Sequence, residues 1–187
     1  MAGGAFYMEE KNDIRAFIRQ QKSLHTPEQL ASMSEAVCNS IMHDGQWRLC
    51  ETVLLYYPLS DEVDVRPLIQ AAYQAGHRVL LPVVVGQELE LRFYEGEESL
   101  RAGAYNIMEP VGPLFPPEEY EQIQMAIVPG MAFSASGHRL GRGKGYYDRL
   151  LPQLPRAYKI GVCFPFQFLT DVPAEEHDVA MNEVVCG

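Results

Sequence analysis

The strongest constraint on the fold is an alternation of short apolar runs with segments of helical period. TVLLYYPL (52–59), RVLLPVVV (78–85), MAIVPG (125–130) and YKIGVCF (158–164) are of strand length and apolar almost throughout. Such runs suit strands buried on both faces, which occur mainly in parallel sheets covered by helices. VRPLIQAAYQAGH (65–77) lies between the first two, with helical spacing and Gly76 as its C-terminal stop. LELRFYE (89–95) alternates and reads as a half-exposed strand, and VAMNEVVC (179–186) reads as a last one. Residues 145–154 read as a short helix. The pattern predicts an α/β fold: a three-layer α/β/α sandwich with a mainly parallel (mixed) sheet.

Two helices precede the first strand. Ile14, Phe17, Ile18 and Gln21 give residues 9–23 a helical period. Thr26-Pro27-Glu28-Gln29 is a helix start, with Thr as N-cap, Pro at the first position and Gln at the third. That helix is predicted to run to about His43 and stop near Gly45, so the chain opens with an N-terminal helical hairpin. The chain of 187 residues suits one domain, over 8–187, with Met1–Tyr7 an extension or an added remnant. The polar, Pro-rich connections 95–118 and 165–178 are long, as loops that line a cleft often are.

A net charge of −10 excludes broad nucleic-acid or acidic-membrane binding. No apolar run approaches the ~20 residues of a membrane span, and the N-terminus lacks a signal-peptide pattern. The four cysteines, Cys38, Cys50, Cys163 and Cys186, form no C-x-x-C pair, and no His cluster has zinc-like spacing. Reduced thiols in a cytoplasmic protein follow, and a monomer is expected.

Within this acidic chain one stretch is basic: GHRLGRGKGYYDRLL (137–151). It is not a Walker A loop, because Gly145 follows Gly143-Lys144 where Ser or Thr would hold magnesium and His138 takes the place of the first Gly. It is not a dinucleotide fingerprint either, since Tyr146 stands where a third glycine belongs. The physics common to both remains. Glycines let backbone N–H groups approach a phosphate, and the helix starting near Gly145 adds positive potential. Arg142 and Lys144 add full charges. Asp148, in the first helical turn, has the chemistry of a magnesium ligand beside a polyphosphate. Tyr147, Leu150 and Leu151 are spaced to bury one face, which turns Tyr146 toward the site. The alternative is a solvated basic turn with Asp148 favouring the helix N-terminus.

The segment VPGMAFSASGHRLGRGKGYYDRLL (128–151) resembles the signature of the 5-formyltetrahydrofolate cyclo-ligase (5,10-methenyltetrahydrofolate synthetase) family. Weaker likenesses extend over KNDIR (11–15), PLSDEVDVRPLI (58–69) and NIMEP (106–110). The resemblance implies conversion of 5-formyltetrahydrofolate and ATP to 5,10-methenyltetrahydrofolate, ADP and phosphate, with magnesium. It implies that Lys11 and Arg15, four apart on one helical face, bind ATP phosphates, a pair that in isolation reads as a solvated face. It makes Arg139, Leu140, Gly141, Arg142, Gly143, Lys144, Gly145, Tyr146 and Tyr147 the ATP loop. Arg142 and Lys144 would be catalytic, stabilising the transferred phosphoryl group. Leu59, Glu62, Asp64, Tyr105, Arg142 and Tyr146 would border the folate, although Asp64 suits a helix cap and Tyr105 a packing role equally. Asp148 would ligate magnesium. Asn182 falls where the family often has a second magnesium-linked aspartate, and would offer only a neutral oxygen. His138 and His177 are read as loop residues. Two other readings stand beside this one: a folate-binding protein without turnover, favoured only by Asn182, and a sugar-phosphate isomerase needing neither ATP nor magnesium.

Overall fold

The computed structural model describes residues 10–187; the extension expected over Met1–Tyr7 lies outside them. Helix α1 (Lys11–Ser23) is followed by α2 (Pro27–His43). The capping box at the start of α2 is formed in full: Gln29 N–H donates to Thr26 Oγ1 at 3.2 Å, and Thr26 N–H donates to Gln29 Oε1 at 2.8 Å. The chain does not simply stop at Gly45. Asp44 Oδ1 accepts from Gln46 N–H at 2.6 Å and Trp47 N–H at 3.3 Å, which caps a further helix, α3 (Gly45–Leu49).

There follow β1 (Thr52–Leu54), α4 (Arg66–Gln74), β2 (Arg78–Val85) and β3 (Glu88–Phe93). The connection 95–118, expected to be loop, contains a small hairpin, β4 (Leu100–Ala102) with β5 (Met108–Pro110), and a short strand β6 (Leu114–Phe115). Next come β7 (Met125–Val128), β8 (Ala132–Ser134) and β9 (Arg139–Leu140). The expected helix over 145–154 is α5 (Tyr146–Leu150), continued as a tighter turn over 151–153. The chain ends with β10 (Tyr158–Cys163), β11 (Phe168–Leu169) and β12 (Glu183–Cys186).

The main sheet has the order β12-β10-β7-β1-β2-β3-β6. From β12 to β2 every pairing is parallel, while β3 and β6 add antiparallel partners at one edge. A second sheet, β11-β8-β9, carries the start of the glycine-basic loop. Strand residues alternate between two cores, as period two requires. Val53, Val79, Leu81 and Ile127 pack with Val37, Ile41, Leu68 and Ile69 of α2 and α4. Leu54, Leu80, Ala126 and Val128 face the other way, toward Leu150, Leu151 and Leu154. The opposite layer is thus built from α5 and short turns rather than long helices.

Helices α1 and α2 are consecutive but bury their apolar faces in different places. Ile14 and Ile18 of α1 pack on Met131, just before β8, and on Ala132 and Leu140 of the second sheet, whereas α2 packs on the main sheet. This carries α1 to the glycine-basic loop. All four cysteines are free. Among the described residues no helix is long and apolar enough to cross a membrane.

Candidate active site

The strand order reverses direction at β1: the chain runs outward through β2 on one side and through β7, β10 and β12 on the other. In open α/β sheets, such a switch point leaves a crevice at the carboxyl ends of the strands. A cavity of about 350 Å³ opens there. Tyr57, Leu59 and Glu62, which follow β1, line it, as do Pro129 and Gly130 after β7 and Pro82 and Val84 of β2. Its lining is mostly apolar.

The glycine-basic loop closes one side. Gly143 and Gly145 lie in the left-handed region, at φ 105° and 73°. At Gly145 that backbone conformation would strain any residue with a Cβ, so the turn into α5 favours glycine there. Arg139 fastens the loop from beneath. Its side chain is only 6% exposed; Nη1 donates to Pro129 O at 3.0 Å and Nη2 to Asp148 Oδ1 at 3.0 Å. Burial lowers the guanidinium's affinity for its proton, and the Asp148 charge opposes that loss. From α1, Arg15 Nε donates to Gly141 O at 2.8 Å.

Behind the loop lies a second, charged cavity of about 190 Å³. Lys11 and Arg15 line it together with Leu140, Gly143, Glu175, His177 and Asp178. Arg139, Gly141, Gly145 and Asp148 line both cavities, so the loop is a wall between an apolar chamber and a charged one. Lys11 Nζ lies 2.9 Å from Glu175 Oε1, a contact that holds the Glu175 carboxyl below its ordinary range. Ligand atoms of Glu175, His177 and Asp178 all lie within 4.8 Å of one another. Sequence reasoning marked 165–178 as a long loop but singled out neither acid; the available signal was the cluster EEHD at 175–178.

In the apolar chamber, Arg142 reaches across to the segment after β1: Nη2 is 2.7 Å from Asp61 Oδ1 and Nε 3.2 Å from Glu62 Oε1. Leu59 N–H donates to Glu62 Oε2 at 2.9 Å, which fixes that carboxylate. Tyr105 and Tyr146 meet through their hydroxyls at 3.3 Å, and the Lys144 ammonium lies 5.2 Å from the centre of the Tyr105 ring. Tyr147 lines the same chamber, half-buried against Arg139. Glu109, which sequence reasoning passed over inside NIMEP, also lines it and accepts from Val84 N–H at 3.1 Å.

Two expected site residues are not brought in. Asp64 lines neither cavity; it accepts from Arg66 N–H at 3.1 Å and pairs with the Arg66 guanidinium at 2.6 Å, so it stiffens the start of α4. Hydrogen bonds from Arg66 hold its carboxyl below the usual range. Asp64→Asn should therefore leave turnover within about twofold of the parent and cost no more than about 1 kcal/mol, in steady-state assays and thermal melts. Asn182 lies at the opposite end of the sheet. It precedes β12 beside the start of β10, where its Oδ1 accepts from Lys159 N–H at 2.8 Å and its own N–H donates to Lys159 O at 2.8 Å. The expectation that Asn182 ligates magnesium beside Asp148 is corrected: its oxygen is spent on joining strands, away from the carboxyl ends where the cavities open.

A two-chamber site at a strand switch point, divided by a glycine-rich basic wall, is the arrangement of an α/β protein with one apolar and one charged pocket side by side. Residues 7–187 match the model of the 5-formyltetrahydrofolate cyclo-ligase family. A 5-formyltetrahydrofolate cyclo-ligase of Escherichia coli is 31% identical over 174 residues, covering 90% of this chain and 95% of that protein. A protein of Schizosaccharomyces pombe described as a probable 5-formyltetrahydrofolate cyclo-ligase is 28% identical, with 94% of each chain covered. The solved 5,10-methenyltetrahydrofolate synthetase of Aquifex aeolicus superposes with a TM-score of 0.83 at 33% identity, over 94% of this chain and 89% of that one. The chain belongs to the 5-formyltetrahydrofolate cyclo-ligase family.

Proposed function

We propose that the protein cyclises 5-formyltetrahydrofolate to 5,10-methenyltetrahydrofolate, consuming ATP in the presence of magnesium and releasing ADP and phosphate. The observation that carries this reading is the shared wall: Arg139, Gly141, Gly145 and Asp148 face both an apolar chamber of folate-like chemistry and a charged one suited to phosphates. The pterin and benzoyl rings fit the first, with Glu62 offering acceptor oxygens to the ring donors and Tyr105 and Tyr146 at its edge. The nucleotide phosphates fit the second, against Lys11, Arg15 and the loop.

The formyl oxygen of an amide is a poor leaving group. Attack of that oxygen on the γ-phosphorus breaks the bond to ADP and leaves an iminium phosphate. Nitrogen 10 then adds to the formyl carbon, the carbon–oxygen bond breaks, and phosphate departs with the nitrogen 10 proton. Positioning and charge neutralisation carry such a transfer, with no covalent protein nucleophile. Arg142 and Lys144, on the loop that forms the wall, would take up charge on the moving phosphoryl group. The donor set of the charged chamber suits magnesium, a hard cation that takes carboxylate and phosphate oxygens. Asp148 would hold it, with Asp178 rather than Asn182 as the second carboxylate in reach of the same cavity. A magnesium ion there would supply positive charge to the phosphate oxygens.

Mixing the protein with 5-formyltetrahydrofolate and MgATP should raise the absorbance of methenyl-folate, with one ADP formed per turnover. Binding of the folate without that rise would overturn the reading in favour of a folate-binding protein. Asn182, the one feature that favoured the latter, lies outside both cavities.

A further inference from the structure

Lys22 is a buried lysine that the reaction as described does not use. It is 7% exposed, and a lysine so buried requires a partner. Its ammonium lies 3.1 Å from Asp61 Oδ2, while the other oxygen of Asp61 takes the Arg142 guanidinium at 2.7 Å. Arg142 is also paired with Glu62 at 3.2 Å. Two cations and two carboxylates therefore balance. Lys22 sits on the face of α1 that carries Lys11 and Arg15, at helical spacing from both. One rigid helix thus holds the loop at Gly141 through Arg15 and reaches the pairing of its neighbour Arg142 through Asp61.

We propose that Lys22 is a positioning residue for phosphoryl transfer: it neutralises Asp61, so that Arg142 can turn from its carboxylates to the phosphoryl group. Without Lys22 the set of Asp61, Glu62 and Arg142 carries a net negative charge. That charge grips Arg142 more tightly and repels the anion that Arg142 must meet. The inference rests on the proposed reaction and deepens it, because Lys22 acts through Asp61 and Arg142 and lines neither cavity.

The test is a charge-balance cycle. Lys22→Met, which keeps the length and burial of the side chain, should lower kcat by about tenfold or more. The affinity for 5-formyltetrahydrofolate, measured calorimetrically without nucleotide or metal, should stay within about twofold, because the lost charge acts on the transfer step. Adding Asp61→Asn restores neutrality and should bring kcat back to within about threefold of the parent. Lys22→Gln, which keeps a donor for Asp61 without the charge, serves the same cycle if the methionine variant does not fold. A single variant as fast as the parent, or a double variant as slow as the single, would overturn the inference and leave the proposed reaction standing. A parent protein that forms no methenyl product would overturn the reaction, and the inference with it.

Discussion

Replacing Lys144 by alanine should lower kcat about a hundredfold to a thousandfold, equivalent to roughly 2.7–4 kcal/mol of transition-state stabilisation. The same change should hardly alter folding. Lys144 is exposed, and its ammonium lies against the face of the Tyr105 ring. An exposed contact of that kind contributes about 0.5–1 kcal/mol, which displaces the melting temperature of a chain this size by no more than about 4 °C. Between Gly143 and Gly145 the chain offers no other side chain that could take the place of the ammonium. Steady-state rates and thermal melts on the same preparations check both halves. A rate within a few-fold of the parent would show that Lys144 only decorates the loop.

The second large effect is expected on metal dependence. Asp148→Asn should raise the magnesium concentration for half-maximal rate by at least about tenfold. The substitution keeps an oxygen to accept from Arg139 Nη2, so the wall between the chambers stays in place while one negative charge is lost. By contrast, Asn182→Asp should leave the magnesium requirement unchanged, because residue 182 can still accept from Lys159 N–H and lines neither cavity. A magnesium titration of activity on the two variants separates the roles. If Asp148→Asn titrates like the parent, the carboxylates at 175 and 178 hold the ion without it.

What could be read from the linear chain follows the range of the forces involved. The capping box at Thr26 and Gln29 is local, and it formed as spelled. Strand burial shows in runs such as MAIV, whose residues alternate between two cores. Shorter elements have no period to detect: β4, β5, β8 and β9 are two or three residues long and exist because a neighbour pairs with them. Gly45 looks like a stop because glycine often follows a helix, but Asp44 turns it into a start. At the site, residues within one loop were legible, since backbone geometry and charge come from the same few positions. Asp64 lines neither cavity because Arg66, only two residues on, takes its carboxylate, which is the helix-start role its position also suggests. Asn182 was misplaced because a position beside a motif says nothing about which end of a strand it occupies. Lys22 and Asp61 went unread because their meaning depends on a contact between α1 and the turn after β1.

The wall described above has two faces but a single backbone. Arg139, tied to both Pro129 and Asp148, cannot shift toward one chamber without altering the other. If the chambers hold folate and nucleotide as proposed, any linkage between their occupancies must be reciprocal. Whatever factor bound folate applies to the affinity for nucleotide, bound nucleotide must apply to the affinity for folate. With folate and nucleotide in the two chambers as proposed, any coupling between them would be carried by one short loop, not by a movement of domains.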